Sequence, residues 1–124
     1  MEGCVRQHGF WRSIGYACRG LYFAVRTQRN LRWHVAAAAG VLFTAAQVGL
    51  SRLELSVLYL VIGLVLCAEI LNTAVELTID MIKITEHPVA RLVKDVAAGA
   101  VLVTVCMALG VAWLLLGPHL GLRP

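Results

Sequence analysis

Four polar side chains follow the most apolar part of the chain at helical spacing. They are Glu69, Asn72, Glu76 and Asp80, and the preceding segment from Leu55 to Ala68 carries no charge. At about 100° per residue, positions 69, 72, 76 and 80 fall within one narrow face of an α-helix. Ionisable groups at membrane depth are costly, so they usually mark a pathway, a partner or a bound cation. We call these four residues the polar stripe.

The residue types of the polar stripe suit phosphoryl transfer. Asn72 and Glu76 can hold a hard cation such as Mg²⁺, which prefers oxygen ligands. Lys94 offers positive charge to a polyphosphate. Glu69 lies nearly two turns deeper in the membrane, where a carboxylate suits general-base work on a buried hydroxyl. A bound cation, a lysine that contacts phosphate and a general base together predict phosphoryl transfer at a membrane interface. Alternatively, these polar groups could simply bond to one another between packed helices.

Known nucleotide-binding signatures do not explain this stripe. The chain contains no G-x-x-x-x-G-K-[ST] segment and no G-x-G-x-x-G segment, so a P-loop is excluded as the phosphate cradle. Its four cysteines have neither metal-ligand nor redox spacing.

Composition indicates a membrane protein. Of the 124 residues, 60% are hydrophobic and only 15% are charged, which lies outside the usual soluble range. The formal net charge is +4, and six arginines precede residue 35, opposed only by Glu2. Because apolar segments follow, anionic lipid headgroups explain this charge better than nucleic acid does.

Hydrophobic periodicity predicts an all-α membrane protein formed by one domain over residues 1–124. Residues 10–30 are expected to form an interfacial amphipathic helix, with Arg12, Arg19 and Arg26 on its polar side. Three transmembrane helices are expected to follow, at about 33–50, 53–84 and 89–117.

Two breaks separate the expected transmembrane helices. A short polar turn is predicted at Ser51–Glu54, and Glu86-His87-Pro88 is predicted to end the second span because proline lacks an amide hydrogen.

Charge asymmetry predicts the orientation. The positive-inside rule places the N-terminal arginines and the loop from Lys83 to Lys94 in the cytoplasm, and the Arg52 loop and the C-terminus outside. The Glu76–Asp80 end of one helix and the Lys94-Asp95 start of the next would then meet at the cytoplasmic surface, where ATP is available. Three helices cannot readily surround so long a polar stripe, so we expect a homo-oligomer with the site near a subunit interface.

The motif carried by these residues resembles a known family. Glu69-Ile-Leu-Asn72-Thr-Ala-Val-Glu76-x-x-x-Asp80, followed by Lys94-Asp95-x-Ala-Ala-Gly-Ala-Val, is similar to the prokaryotic diacylglycerol kinase and undecaprenol kinase family of small integral membrane kinases. The resemblance implies an amphipathic helix plus three transmembrane helices, assembled as a homotrimer in the bacterial plasma membrane. It also implies transfer of the γ-phosphate of ATP to a lipid alcohol with Mg²⁺.

The resemblance assigns roles to individual residues. Glu69 resembles the catalytic base and Glu76 resembles a metal ligand. The other matching positions are Asn72 and Asp95 at the catalytic centre, Asn72, Asp80, Lys94 and Asp95 around ATP, and Tyr16 and His87 near the nucleotide.

Gln28 departs from the family pattern. The segment Gln28–His34 looks like the E-x-N-x-x-x-H pattern of the undecaprenol kinase branch, in which a glutamate at the first position shares metal binding with the residue that matches Glu76. An amide oxygen can ligate Mg²⁺ but brings no negative charge, so weaker metal binding or slower turnover is expected. The resemblance makes undecaprenol the first choice of acceptor and diacylglycerol the second.

Two other functions compete with a lipid kinase. A small proton-coupled transporter could use Glu69 alternately for a proton and a cationic substrate. An inactive relative that serves as an assembly partner is suggested by Gln28.

Overall fold

The computed structural model describes residues 9–82 and 87–122, and over these ranges every regular element is an α-helix. The helices are α1 (Phe10–Thr27), α2 (Arg29–Val48), α3 (Arg52–Met81) and α4 (Pro88–Leu116). The predicted all-α class is confirmed. The predicted extension of the second span through residue 84 and the loop at Lys83 and Glu86 lie outside the described residues.

A single residue separates α1 from α2. Gln28 has extended backbone angles (φ −94°, ψ 110°), and its amide donates to the carbonyl of Ala24 at 2.8 Å. The amphipathic helix therefore ends at Thr27 rather than at residue 30, and α2 begins at Arg29, earlier than predicted. Ala24 and Leu31, on either side of this break, are both buried. Because these two side chains are buried, the position of the break is held by packing against the rest of the protein.

The turn between α2 and α3 lies slightly before the predicted polar turn, and α3 begins at Arg52, one residue before the predicted start at about 53. Gly49 ends α2 with φ +72°, a left-handed conformation that glycine adopts without strain. Ser51 and Glu54 then form a capping box: the Ser51 hydroxyl accepts from the Glu54 amide at 3.3 Å, and the Glu54 carboxylate accepts from the Ser51 amide at 2.8 Å. The predicted polar turn at Ser51–Glu54 is thus the start of α3.

Ser51→Ala is expected to lower the free energy of unfolding by about 1 kcal/mol, because the Glu54 amide loses its capping acceptor. Thermal denaturation in detergent should show a lower midpoint. Ser56→Ala is the matched control, since the Ser56 hydroxyl bonds only to the carbonyl of Arg52 within the same helix. Equal midpoints for both variants would show that the box contributes nothing.

The core lies at the end of the bundle that is distant from the polar stripe. Leu58 and Val61 of α3 pack there with Ala45 of α2 and Leu116 of α4. The pairing of α3 with α4 is the most extensive between any two helices. The buried face of α3 continues at helical spacing from this core into the polar stripe, through Leu58, Val61, Val65, Glu69 and Asn72. Packing of this apolar face therefore fixes the direction of the polar stripe.

Two helices are long and apolar enough to cross a membrane, α3 with 30 residues and α4 with 29. At 1.5 Å per residue each extends roughly 45 Å, more than the about 30 Å of hydrocarbon in a bilayer. The third predicted span, α2, is less apolar because Arg29, Arg32 and His34 occupy its first two turns.

Candidate active site

Burial along the polar stripe changes steadily over its length. Glu69 is only 3% exposed and Asn72 8% exposed, Glu76 is half-buried, and Asp80 is exposed. All four side chains lie on α3, so the gradient follows from the depth of each turn within the bundle. The polar stripe thus has an exposed end at Asp80, which we call the open end, and a buried end at Glu69, which we call the closed end.

Asn72 and Glu76 form a hydrogen-bonded pair one turn apart. The Asn72 side-chain nitrogen donates to a carboxylate oxygen of Glu76 at 3.1 Å. The other polar atom of that amide, Asn72 Oδ1, is buried and has no hydrogen-bond partner among the described residues. An unpaired buried acceptor costs about 1–3 kcal/mol, so this oxygen is available to a donor or a cation. Amide and carboxylate oxygens are the ligands that hard divalent cations take in proteins.

A salt bridge joins the open end of the stripe to α4. Lys94 Nζ lies 2.5 Å from Asp80 Oδ1, and these side chains are 31% and 54% exposed. An exposed pair of this kind contributes only about 0–1 kcal/mol, because water solvates both charges. The lysine can therefore exchange its carboxylate partner for a phosphate at little cost.

Thr73 is a buried residue of the site that sequence reasoning missed. Its hydroxyl donates to the carbonyl of Glu69 at 2.9 Å and its side chain is buried. The bond links the two residues one turn apart at the closed end of the stripe. A threonine four residues after Glu69 was the available signal, because threonine hydroxyls bond to the carbonyl one turn earlier.

Three other predicted residues have surroundings of their own. His87 caps α4, its ring Nδ1 accepting from the amide of Val89 at 3.2 Å. Asp95 is exposed beside a shallow concavity that Pro88 and Arg91 also line. Gln28 is half-buried at the α1–α2 break. Among the described residues, none of these three side chains hydrogen-bonds to the polar stripe.

Tyr16 lies on the exposed surface of α1. The guanidinium of Arg19 is 5.9 Å from the centre of its ring, a cation–π geometry. Arg26 and Tyr22 repeat the arrangement two turns later, at 5.7 Å. The arginine side of α1 thus carries aromatic rings, as expected of a helix at a membrane surface.

Within residues 9–82 and 87–122, no three His, Cys, Asp or Glu side chains converge as a metal site. A metal held by Glu76 and Asn72 would therefore draw part of its shell from water and from substrate phosphates, as Mg²⁺ commonly does.

Comparison with known proteins identifies the family. Residues 15–116 match the family described as prokaryotic diacylglycerol kinase. The chain belongs to this family. The chain is 40% identical over 111 residues to an undecaprenol kinase of Bacillus subtilis, covering 90% of each protein. It is 38% identical over 109 residues to a diacylglycerol kinase of Synechocystis, covering 87% of this chain and 62% of that protein. A diacylglycerol kinase of Escherichia coli is 29% identical over 116 residues, covering 91% and 95%. No solved structure gives a significant match.

Membership of the prokaryotic diacylglycerol kinase family makes the chain a phosphotransferase with an alcohol acceptor. The predicted enzyme class is confirmed, and the family favours the kinase interpretation over the proton-coupled transporter.

Proposed function

We propose that this protein is an ATP-dependent lipid kinase that transfers the γ-phosphate of ATP to the hydroxyl of a membrane lipid alcohol. The observation that carries the proposal is the burial gradient of the polar stripe. Asp80 and Lys94 lie at an open end that a water-soluble nucleotide can reach. Glu69 lies at the closed end, where we place the hydroxyl of the membrane lipid.

Undecaprenol is the first choice of acceptor and diacylglycerol is the second. The relative with 40% identity is an undecaprenol kinase, whereas the diacylglycerol kinases described above are 38% and 29% identical. The Gln28–His34 segment also resembles the undecaprenol kinase branch.

Glu76, the free oxygen of Asn72 and the amide oxygen of Gln28 are the groups that would hold Mg²⁺. A bound Mg²⁺ would neutralise charge on the ATP phosphates. Glu76 is the only carboxylate in this set, so its charge dominates the electrostatic attraction for the metal. The hydrogen bond from Asn72 orients the Glu76 carboxylate, as supporting bonds to ligating carboxylates do.

The remaining polar residues would contact the nucleotide. Lys94 leaves Asp80 and donates to a phosphate oxygen of ATP, a charge-assisted bond stronger than a neutral one. Asp95, one residue further along α4, lies at the same end of the bundle and completes the catalytic centre. Tyr16 on α1 and His87 at the start of α4 would lie near the nucleotide.

Glu69 acts as the general base. Its carboxylate takes the proton of the lipid hydroxyl while that oxygen attacks the γ-phosphorus, and the bond from the γ-phosphorus to the bridging oxygen breaks to release ADP. Burial among apolar helices keeps water away from Glu69, which limits hydrolysis of ATP as a side reaction.

We place the protein in the bacterial plasma membrane with α2, α3 and α4 all crossing the bilayer. The 20 residues of α2 extend roughly 30 Å, which matches the hydrocarbon thickness. With α1 at the cytoplasmic surface, the α3–α4 junction and the nucleotide end of the stripe are also cytoplasmic. The C-terminus is then outside.

The test is a transfer assay with the purified chain in detergent, γ-labelled ATP, Mg²⁺ and separate lipid alcohols. Label is expected in phosphorylated undecaprenol, with diacylglycerol as the weaker acceptor. Which of the two lipids is phosphorylated faster decides between an undecaprenol kinase and a diacylglycerol kinase. Label in no lipid would contradict the proposed function, and a Glu69→Gln preparation measures the background.

We further propose that the protein is a homo-oligomer, with three subunits as the expected number. A second face of α3, about 120° around the helix from its buried face, presents apolar residues at alternating spacings of three and four, namely Val57, Leu60, Leu64, Cys67 and Leu71, all of them exposed. This pattern is the seam by which parallel helices associate. We call these five residues the outer stripe.

Cys67 makes the oligomer testable because it lies in the middle of the outer stripe. A chain whose only cysteine is Cys67 is expected to form covalent trimers with a three-armed maleimide. A chain whose only cysteine is Cys106, exposed on α4 away from the outer stripe, should stay largely monomeric. Gel electrophoresis measures the products. Monomers from both chains would contradict association through the outer stripe.

A further inference from the structure

An apolar groove lies between α2, α3 and α4 and ends beside the polar stripe. It encloses about 540 Å³ of space, counting the part that is open to the surroundings. Representative lining residues are Ala38 and Val41 of α2, Val65 and Leu66 of α3, and Val105 and Leu109 of α4. Along α3 the lining extends from Leu58 to Leu66, which is roughly 12 Å at 1.5 Å per residue. A hydrocarbon chain fits this surface, because every lining residue except His34 is apolar and has no hydrogen bond to water to lose.

His34 is the one polar side chain in the lining of this groove. It projects from α2, is half-buried, and lies within electrostatic range of the Glu69 carboxylate on α3. Leu66, at the same end of the groove, precedes Glu69 by less than one helical turn. The apolar groove therefore runs up to an imidazole and then to a buried carboxylate.

We propose that His34 is a positioning residue for the lipid alcohol, which rests on the proposed kinase function. The groove takes the hydrocarbon chain next to the alcohol carbon, and the His34 ring N–H donates to the hydroxyl oxygen. A hydroxyl has one O–H and two lone pairs. One lone pair accepts from His34, the O–H points to Glu69, and the second lone pair is left to attack phosphorus.

This arrangement accounts for an imidazole in an otherwise apolar lining. A polar group in such surroundings is costly unless it has a hydrogen-bond partner. The lipid hydroxyl supplies that partner and is in turn held at the distance from Glu69 that proton transfer requires. Glu69 and His34 thus divide the work, Glu69 taking the proton and His34 fixing the oxygen.

The first test separates recognition of the lipid from recognition of ATP. His34→Ala is expected to lower kcat/KM for the lipid alcohol by about 10- to 100-fold, the loss typical of a missing hydrogen bond to substrate, with the KM for Mg·ATP unchanged. His34→Gln keeps an N–H donor and should recover most of the activity. Gln47→Ala, exposed on the same helix outside the groove, is the control and should behave as wild type.

Two outcomes would overturn the role of His34. One is an unchanged kcat/KM for the lipid in His34→Ala. The other is an equal loss towards lipid and ATP that His34→Gln does not recover, which indicates a purely structural role.

The second test measures binding without catalysis, so that failure of the proposed function can be distinguished. A diazirine-bearing prenyl alcohol is photolysed with the protein, and labelled peptides are mapped. Label is expected on groove residues of α2 and α4. Ala38→Phe fills the groove and should abolish that label, whereas Ala36→Phe, exposed and outside the lining, should retain it. Equal labelling of the two variants would overturn the groove as the site of the lipid chain.

Discussion

Glu69→Gln is expected to lower kcat by about 10²- to 10⁴-fold, the range that a positioned general base contributes. The substitution keeps the shape of the side chain but removes the group that accepts the proton of the lipid hydroxyl. Because Glu69 is only 3% exposed, no water molecule can readily replace its carboxylate as the base. Initial rates with labelled ATP and saturating lipid alcohol measure the loss. The KM for Mg·ATP should stay near its wild-type value, since Glu69 lies at the closed end of the stripe.

Glu54→Gln is the matched control for this experiment. It makes the same chemical change on the same helix, at the capping box on the opposite end of α3. It is expected to lower thermal stability slightly and to leave kcat unchanged. If both variants kept full activity, Glu69 would not be the base. If Glu69→Gln and Glu54→Gln lost activity equally, the loss would reflect a general effect on folding rather than removal of the base.

The polar stripe shows how far the sequence alone could go. The spacing of 69, 72, 76 and 80 predicts one helix face, and the uncharged segment before it predicts that Glu69 lies deepest. Both follow from helical periodicity and from the length of the apolar run, which are local properties. The structure confirms the shared helix, and within the bundle it buries Glu69 and leaves Asp80 exposed; the depth of Glu69 in the membrane stays a prediction.

Contacts between helices could not be predicted in the same way. His34 and Glu69 are 35 positions apart and come within electrostatic range only because α2 packs beside α3, a relation that no periodicity contains. The sequence predicts only that Asp80 and Lys94 lie at the same membrane surface. The salt bridge between them depends on how α3 packs against α4. Pairing of helices is set by the fit of whole surfaces, so it becomes visible only in three dimensions.

The helix ends were misplaced for a different reason. Ser51–Glu54 has the composition of a polar turn, yet the reciprocal bonds of the capping box make it the first turn of α3. Gln28 sits in a segment with continuous helical periodicity, yet its backbone is extended. Buried Ala24 and Leu31 on either side show that tertiary packing overrides local propensity there.

The second large effect is expected at the metal-binding pair. Glu76→Gln removes the carboxylate that is hydrogen-bonded to Asn72, whose side-chain oxygen is free, so the Mg²⁺ concentration for half-maximal activity should rise at least about 10-fold. A Mg²⁺ titration of initial rates at saturating ATP and lipid measures the shift. Loss of activity that no Mg²⁺ concentration restores would mean that Glu76 does more than hold the metal.

Gln28→Glu tests the same metal site by adding a carboxylate instead of removing one. If Gln28 is a ligand that lacks charge, a second carboxylate should lower the half-saturating Mg²⁺ concentration and raise turnover. It should also recover part of the loss when placed in the Glu76→Gln protein, since one carboxylate would again face the metal. Gln47→Glu adds the same charge to the far end of α2 and is expected to do neither. Recovery by Gln28→Glu alone would place the α1–α2 break beside the metal. Metal binding would then explain why the helix is interrupted by an extended residue at Gln28. Equal effects of the two substitutions would reduce the role of Gln28 to overall charge.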